Sequence, residues 1–352
     1  MKITTLLIAS TAALASVTVA QAADAIVAAE PEPLEYVRVC DAFGTGYFYI
    51  PGTETCLKVG GYVRFQVDAR SDLDGTEADE SGYRTRTRGK LGIDAKSDTE
   101  FGTLSSTINM EAQSDDEDGG DFYLDETFIE LGGLRVGYFY NYFDTGLPGE
   151  TVLTDNGPSQ TLNNSIRYTY DGGAFSVYGQ VDFFEASDGW KDGRNIGTID
   201  APDFADSDEI GINGVITGKF GAAAIDLFAG YDFDTEEAAF ASTLTAEFGA
   251  GSLGIFAAYA TGLNRYWATS EWTIGAEYAF AVNDKFKIAP GVQYWDNVDY
   301  VDGDFDGGDA WRAGLTVDYA ITTNLTTKAT VNYTDYDGDD QWDGFLRLQR
   351  SF

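Results

Sequence analysis

From residue 57 to the C-terminus the chain alternates between apolar and polar side chains in a period of two. Leu57, Val59, Gly61, Val63, Phe65 and Val67 take one parity, and Lys58, Gly60, Tyr62, Arg64, Gln66 and Asp68 take the other. A β-strand sends successive side chains to opposite faces, so this is a strand with one greasy and one wet face. The pattern returns in Trp272, Ile274, Ala276, Tyr278 and Phe280 against Glu271, Thr273 and Glu277. It returns again in Leu325, Ala329, Val331 and Tyr333 against Lys328, Thr330 and Asn332. Sixteen stretches of this kind are legible. They lie near 57–70, 83–96, 102–113, 122–132, 134–140, 164–171, 174–185 and 208–219 in the first half. The second half holds 222–233, 237–248, 251–261, 270–280, 284–295, 308–319, 324–335 and 342–352.

The connections alternate too. Residues 71–82, 114–121, 141–163, 186–207, 262–269, 296–307 and 336–341 are mostly long, polar and rich in Asp and Gly, with 234–236 the short member of the set. Between them stand tight turns such as Gly132-Gly133, Asp171-Gly172-Gly173 and Phe220-Gly221. Long loops at one end and short turns at the other describe an outer-membrane barrel. In hydrocarbon every backbone group must be paired, which a closed sheet achieves. Phe183, Tyr231, Phe280, Tyr294, Tyr319 and Tyr333 stand on the apolar parity near strand ends, where amphipathic rings suit the headgroup level. The competing arrangement is a soluble sandwich that buries its two apolar faces against each other. The expected fold is all-β: a transmembrane 16-stranded antiparallel β-barrel with both termini at the short-turn, periplasmic end. A barrel of that size holds an aqueous channel.

Residues 1–22, MKITTLLIASTAALASVTVAQA, read as a secretory signal peptide, with Lys2 at the start, an apolar middle and Ala20-Gln21-Ala22 at the cut. Residues 23–352 then form one barrel domain, with an extension at 23–56 ahead of the first long strand. Export permits a disulfide. Cys40 and Cys56 are the only cysteines, so they form one bridge or remain two thiols. A bridge closing that loop stabilises by about 3 kcal/mol.

Charge narrows the chemistry. The 58 acidic residues outnumber 22 basic ones, for a formal net charge of -36, and histidine is absent. So acidic a chain repels nucleic acid. Without histidine there is no His-based general base, no His metal ligand and no Ser-His triad. An enzyme is therefore not expected, and no cofactor is implied. Asp115-Asp116-Glu117-Asp118 and the Asp/Gly run 302–309 are candidate divalent-cation sites, without EF-hand spacing. The plainer reading is solvated loops, and a third is divalent bridging to lipopolysaccharide.

Against this acidic background the basic residues cluster. Arg84, Arg86, Arg88 and Lys90 share the inward parity of the second strand, and Arg64, Arg135 and Arg167 share it elsewhere. Like charges stacked on one wall need water, anions or facing carboxylates. The third long connection, 139–163, is the candidate for an inward-folded loop that supplies those carboxylates from Asp144, Glu150 and Asp155. Opposed charges there would set a transverse field across a narrow waist.

Residues 36–67 carry a resemblance. Tyr36-Val37-Arg38-Val39-Cys40-Asp41-Ala42-Phe43-Gly44, Gly46 to Lys58, and Gly60-Gly61-Tyr62-Val63-Arg64 resemble the start of the alphaproteobacterial general porins of the Rhizobiales and Brucella type. Leu124 to Gly133 resembles that family's fourth strand, and Phe352 its aromatic end. The resemblance implies a homotrimeric outer-membrane barrel, in contact with lipid and lipopolysaccharide, that passively passes small hydrophilic solutes and ions. It places a basic wall at Arg64, Arg84, Arg86 and Arg88 and the opposing acid within 144–155. The alternatives are a substrate-specific channel for small polar or anionic solutes, aligned on the arginines and Tyr62, and a closed structural barrel. The overall acidity favours cations, while the arginine cluster argues locally the other way.

Overall fold

A computed structural model describes residues 38–71, 82–115, 120–154, 161–184, 210–301 and 304–352. The expected signal peptide at 1–22, most of the extension before Cys40, and Asp155 lie outside the described residues. Sixteen long strands build the sheet. They are β1 (Cys56–Arg70), β2 (Gly82–Thr99), β3 (Gly102–Asp115), β4 (Asp121–Leu131), β5 (Leu134–Tyr140), β6 (Leu162–Asp171), β7 (Phe175–Phe183) and β8 (Ile210–Phe220). The chain continues through β9 (Ala223–Asp232), β10 (Glu237–Phe248), β11 (Gly251–Ala260), β12 (Trp272–Asn283), β13 (Phe286–Asp296), β14 (Asp309–Thr322), β15 (Leu325–Tyr336) and β16 (Asp339–Ser351). Every strand pairs antiparallel with its neighbours in sequence, and β16 returns to β1 with Asp343 opposite Arg70 and Ser351 opposite Tyr62. The barrel is closed, with no free edge for another chain to join. At the seam Gly61 N–H donates to Phe352 O and Phe352 N–H to Gly61 O, at 3.1 and 3.0 Å.

The parity read from the sequence holds around the barrel. Val59, Val63 and Phe65 on β1, Ile212 and Ile216 on β8, Ile274 on β12, Val331 on β15 and Leu346 on β16 are all exposed. Gln66, Asn213, Glu277, Gln293 and Asn332, on the opposite parity, are buried. Apolar side chains turned outward from a closed sheet suit lipid as their solvent. One connection departs from expectation in its length: 336–341 is a tight turn. β15 and β16 are joined by Asp337 and Gly338 alone, with φ of 48° and 97°. Two successive left-handed residues make the two-residue hairpin turn whose twist matches that of the strands.

Cys40 and Cys56 form a disulfide, with their Cα atoms 6.0 Å apart. The bridge ties the segment before the barrel to the first residue of β1. Tyr47 is buried beside it, and the Lys58 and Lys96 ammonium groups stand 5.7 and 5.4 Å from the Tyr47 ring.

Candidate functional site

The basic run of β2 is held by carboxylates on neighbouring strands. Arg86 pairs with Asp68 of β1 at 3.1 Å, and Arg88 with Glu111 of β3 at 3.0 Å. Lys90 reaches Asp125 of β4 at 2.5 Å and Glu111 at 3.6 Å. Tyr62 and Tyr123 both donate to Glu111, at 2.9 and 2.8 Å, and Tyr140 donates to Asp125 at 2.6 Å. Cross-strand neighbours on one face stand about 5 Å apart, close enough for such partners to satisfy each other. Arg64 donates to Gln349 at 2.9 Å and stacks over the Tyr62 ring at 4.6 Å. Arg84, opposite Asp68 in the β1–β2 register, is exposed near the long-loop end of its strand.

Asp125 occupies a special position. Asn109 of β3 faces Glu126 and Met110 faces Leu124, so Asp125 is an extra residue in β4. A bulge of this kind breaks the alternation and re-aims a side chain. Asp125 thereby joins Tyr123 and Glu126 on the polar face, where Glu126 accepts from Asn109 at 3.3 Å.

Arg135 and Arg167 form a separate group. They face each other across β5 and β6. Arg135 holds Glu130 through Nε and Nη2, both at 2.8 Å, and lies 4.3 Å over Phe128. Arg167 donates to Gln180 and to Tyr140 O, at 2.5 and 2.8 Å, and lies 4.3 Å over Tyr178. Both stack on Phe139, so these guanidiniums are packed into the sheet face rather than continuing the β2 row.

The segment that follows β5 lies across the polar face of the far wall. Asn141 caps a short 3-10 turn, Tyr142–Asp144, by accepting from Phe143 N–H at 2.9 Å. The Tyr142 hydroxyl is hydrogen-bonded to Thr243 of β10 at 2.5 Å. Beyond the turn, the Glu277 carboxylate on β12 accepts from three backbone N–H groups: Gly149 at 2.6 Å, Thr151 at 2.6 Å and Val152 at 2.7 Å. Gln293 of β13 accepts from Leu153 N–H at 2.6 Å and returns a bond to its carbonyl at 3.0 Å. Thr151 donates to Asn332 of β15 at 3.0 Å. Glycine on the strands permits so close an approach. A Cβ at Gly254 would stand 2.7 Å from Pro148, and one at Gly275 2.8 Å from Val152.

Glu150, one of the three loop acids expected to face the arginines of β2, pairs with other cations. It meets Lys328 of β15 at 2.6 Å and Arg347 of β16 at 3.6 Å. Asp144 is exposed at the end of the 3-10 turn. The arginines of β2 take their carboxylates from the wall because Asp68, Glu111 and Asp125 stand on adjacent strands. Sequence reading missed Glu111, Asp125, Glu277, Lys328 and Arg347 as site residues. Glu111, Glu277 and Lys328 were legible as polar-parity residues, but their partners were not. Among the described residues no cluster of His, Cys, Asp or Glu has metal-holding geometry. Asp116 to Asp118, Asp302 and Gly303 lie outside the described residues.

The connection 262–269 counts, from its sequence, among the polar loops. In the structure 262–270 is buried throughout. Tyr142, Phe143, Phe228, Phe256, Tyr266, Trp267 and Trp295 share one apolar cluster on the polar-parity side of the sheet. Part of the polar face of β9–β13 is therefore covered by packed side chains. Burial and the neighbouring Asp182 carboxylate push the Tyr266 hydroxyl well above the ordinary phenol range.

The family model described as the Porin subfamily matches residues 24–349. Outer membrane protein IIIA of Rhizobium leguminosarum bv. viciae is 44% identical over 98% of this chain and 93% of its own. The porin Omp2b of Brucella suis is 45% identical over 49% of each chain. Among solved structures, the Acinetobacter baumannii outer membrane channel DcaP has a TM-score of 0.62 at 11% identity, covering 86% of this chain and 99% of its own. A trimer form of Vibrio cholerae OmpT has a TM-score of 0.58 at 13% identity, covering 85% of this chain and 100% of its own. At those identities the solved structures speak for the barrel alone. The family match across nearly the whole sequence, and a relative similar from end to end, mean that this chain belongs to the porin family.

Proposed function

We propose that the protein is a passive channel of the outer membrane, through which small hydrophilic solutes and ions diffuse across a water-filled lumen. One observation carries this: a closed sixteen-stranded sheet exposes its apolar parity and turns Arg64, Arg86, Arg88 and Lys90, with their carboxylates, to the other side. The polar face is then the lumen wall. The 141–154 segment narrows it, with β1–β4 and β16 forming the charged side of the constriction. Solutes need no chemistry to pass, only wall contacts weak enough to let them leave. The long-loop end faces outward and both termini face the periplasm, after export on a signal peptide cut behind Ala22. A homotrimer is the proposed assembly; the trimer form of a barrel of the same fold supports it. In planar bilayers, insertion is expected to give a conductance that closes in three equal steps. No current at any voltage would mean a closed structural barrel.

The ladder on β1–β4 mixes both signs, so its net effect on ions is set by the local balance. Neutralising Arg86 and Arg88 together, by R86Q/R88Q, leaves Asp68 and Glu111 without those cations. A unit charge ~8 Å from an ion in water is worth about 0.5 kcal/mol, roughly a twofold change in local concentration for each ion. Reversal potential in asymmetric potassium chloride is expected to move towards cation preference, most at low ionic strength. An unchanged reversal potential would place the two arginines away from the conducting path. A substrate-specific channel is separated by uptake that saturates at low solute concentration.

A further inference from the structure

We propose that the connection 261–271 is a second selectivity element: an in-folded strut that props the root of the 141–154 segment and closes the lumen over β9–β12 to solutes. The inference rests on the porin reading and adds to it, since it makes pore width the product of two loops. Two anchors fix the strut to the wall, and a third contact locks its own turn. Arg265, fully buried, meets Asp232 of β9 at 3.2 Å and Asp234 at 2.7 Å. Its backbone N–H also donates to Asp232, at 3.0 Å. The Tyr266 hydroxyl donates to Asp182 of β7 at 2.8 Å, which also accepts from Ser165, Gln180 and Asn213. Asn264 Oδ1 accepts from both Tyr266 and Trp267 N–H at 3.0 Å, and so locks the turn.

The tip of the strut touches the constriction loop. The Trp267 ring lies 5.6 Å from Phe143 and 5.6 Å from Phe256 of β11. On its other side Phe143 meets Phe228 of β9 at 4.8 Å. Phe143 is thus gripped between the wall and the strut, two residues after the cap that begins the turn. The facing wall is cut back to make room: Ala239 and Ala241 of β10 and Ala258 and Ala260 of β11 are small and buried on that side. A loop packed on an apolar bed in the lumen excludes water there and leaves the open cross-section elsewhere. Trp267 and Asn264 are therefore positioning residues, acting on the pathway through Phe143.

The test is single-channel recording and liposome swelling with sugars of graded size, on wild type, Trp267→Ala and Asn264→Ala. Trp267→Ala is expected to raise conductance and to raise the ratio of large-sugar to small-sugar swelling several-fold. Trp267→Phe should return both towards wild type. Asn264→Ala loosens the turn without opening a cavity under Phe143, and should move both readouts in the same direction by less. The barrel's heat-induced gel shift should stay in place, a split that a purely scaffolding role would not give. Folded Trp267→Ala and Asn264→Ala with wild-type current and size limit would overturn the strut. A wild type that carries no current would instead overturn the porin reading itself.

Discussion

Glu277→Ala is expected to free the tip of the constriction loop and give a wider, noisier open channel. The carboxylate accepts from Gly149, Thr151 and Val152 N–H, and it is almost wholly buried. Taking it away strands three backbone donors, each at a cost of about 1–3 kcal/mol when buried without a partner. Even 3 kcal/mol in all shifts the ratio of docked to released loop by roughly 100-fold. The sheet should be unaffected, because Glu277 uses only its backbone in the β12 ladder. Glu277→Gln keeps acceptor oxygen on one side alone and should fall between the two. Single-channel current with tight, wild-type noise in Glu277→Ala would show that Gln293, Asn332 and Lys328 hold the loop unaided.

The second large effect is expected at Arg265. Its side chain and that of Asp232 are both fully buried, 3.2 Å apart. Removing one partner of such a pair leaves an uncompensated charge and costs about 3–5 kcal/mol. Arg265→Met should therefore lower the denaturant midpoint of the refolded barrel clearly. Adding Asp232→Asn should recover part of the loss, since it removes the fully buried carboxylate and leaves only Asp234, which is partly exposed, without its cation. If Arg265→Met alone matches wild type, Asp232 draws its compensation from elsewhere, and the anchor role of the pair falls.

The sixteen strands were legible because lipid outside and water or protein inside impose opposite demands on adjacent residues. A one-residue slip would turn every apolar side chain to the wrong face, so the register is written into the parity. The disulfide was legible as the only possible pair. What could not be read was pairing at a distance. Glu150 was visible as an acid in the third connection, but nothing local tells that it meets Lys328 and Arg347 rather than Arg86 and Arg88. Glu277 was visible on the polar parity of its strand, but its partners are loop backbone N–H groups, which carry no sequence signature. The 261–271 loop did carry a signal. Leu263, Tyr266 and Trp267 fall within nine residues, which a merely solvated loop has little reason to hold. The adjacent aromatics were the clue that this loop is packed.

The extra residue in β4 has a consequence for how such a barrel can change over generations. Deleting Asp125 would mend an interrupted row of rungs and make a more regular cylinder. It would also remove the acid that Lys90 and Tyr140 hold. Selection for robustness alone would erase that irregularity; selection for what passes through the wall would keep it. Length changes in β4 should therefore mark lineages whose traffic has changed, even where every other strand keeps its length.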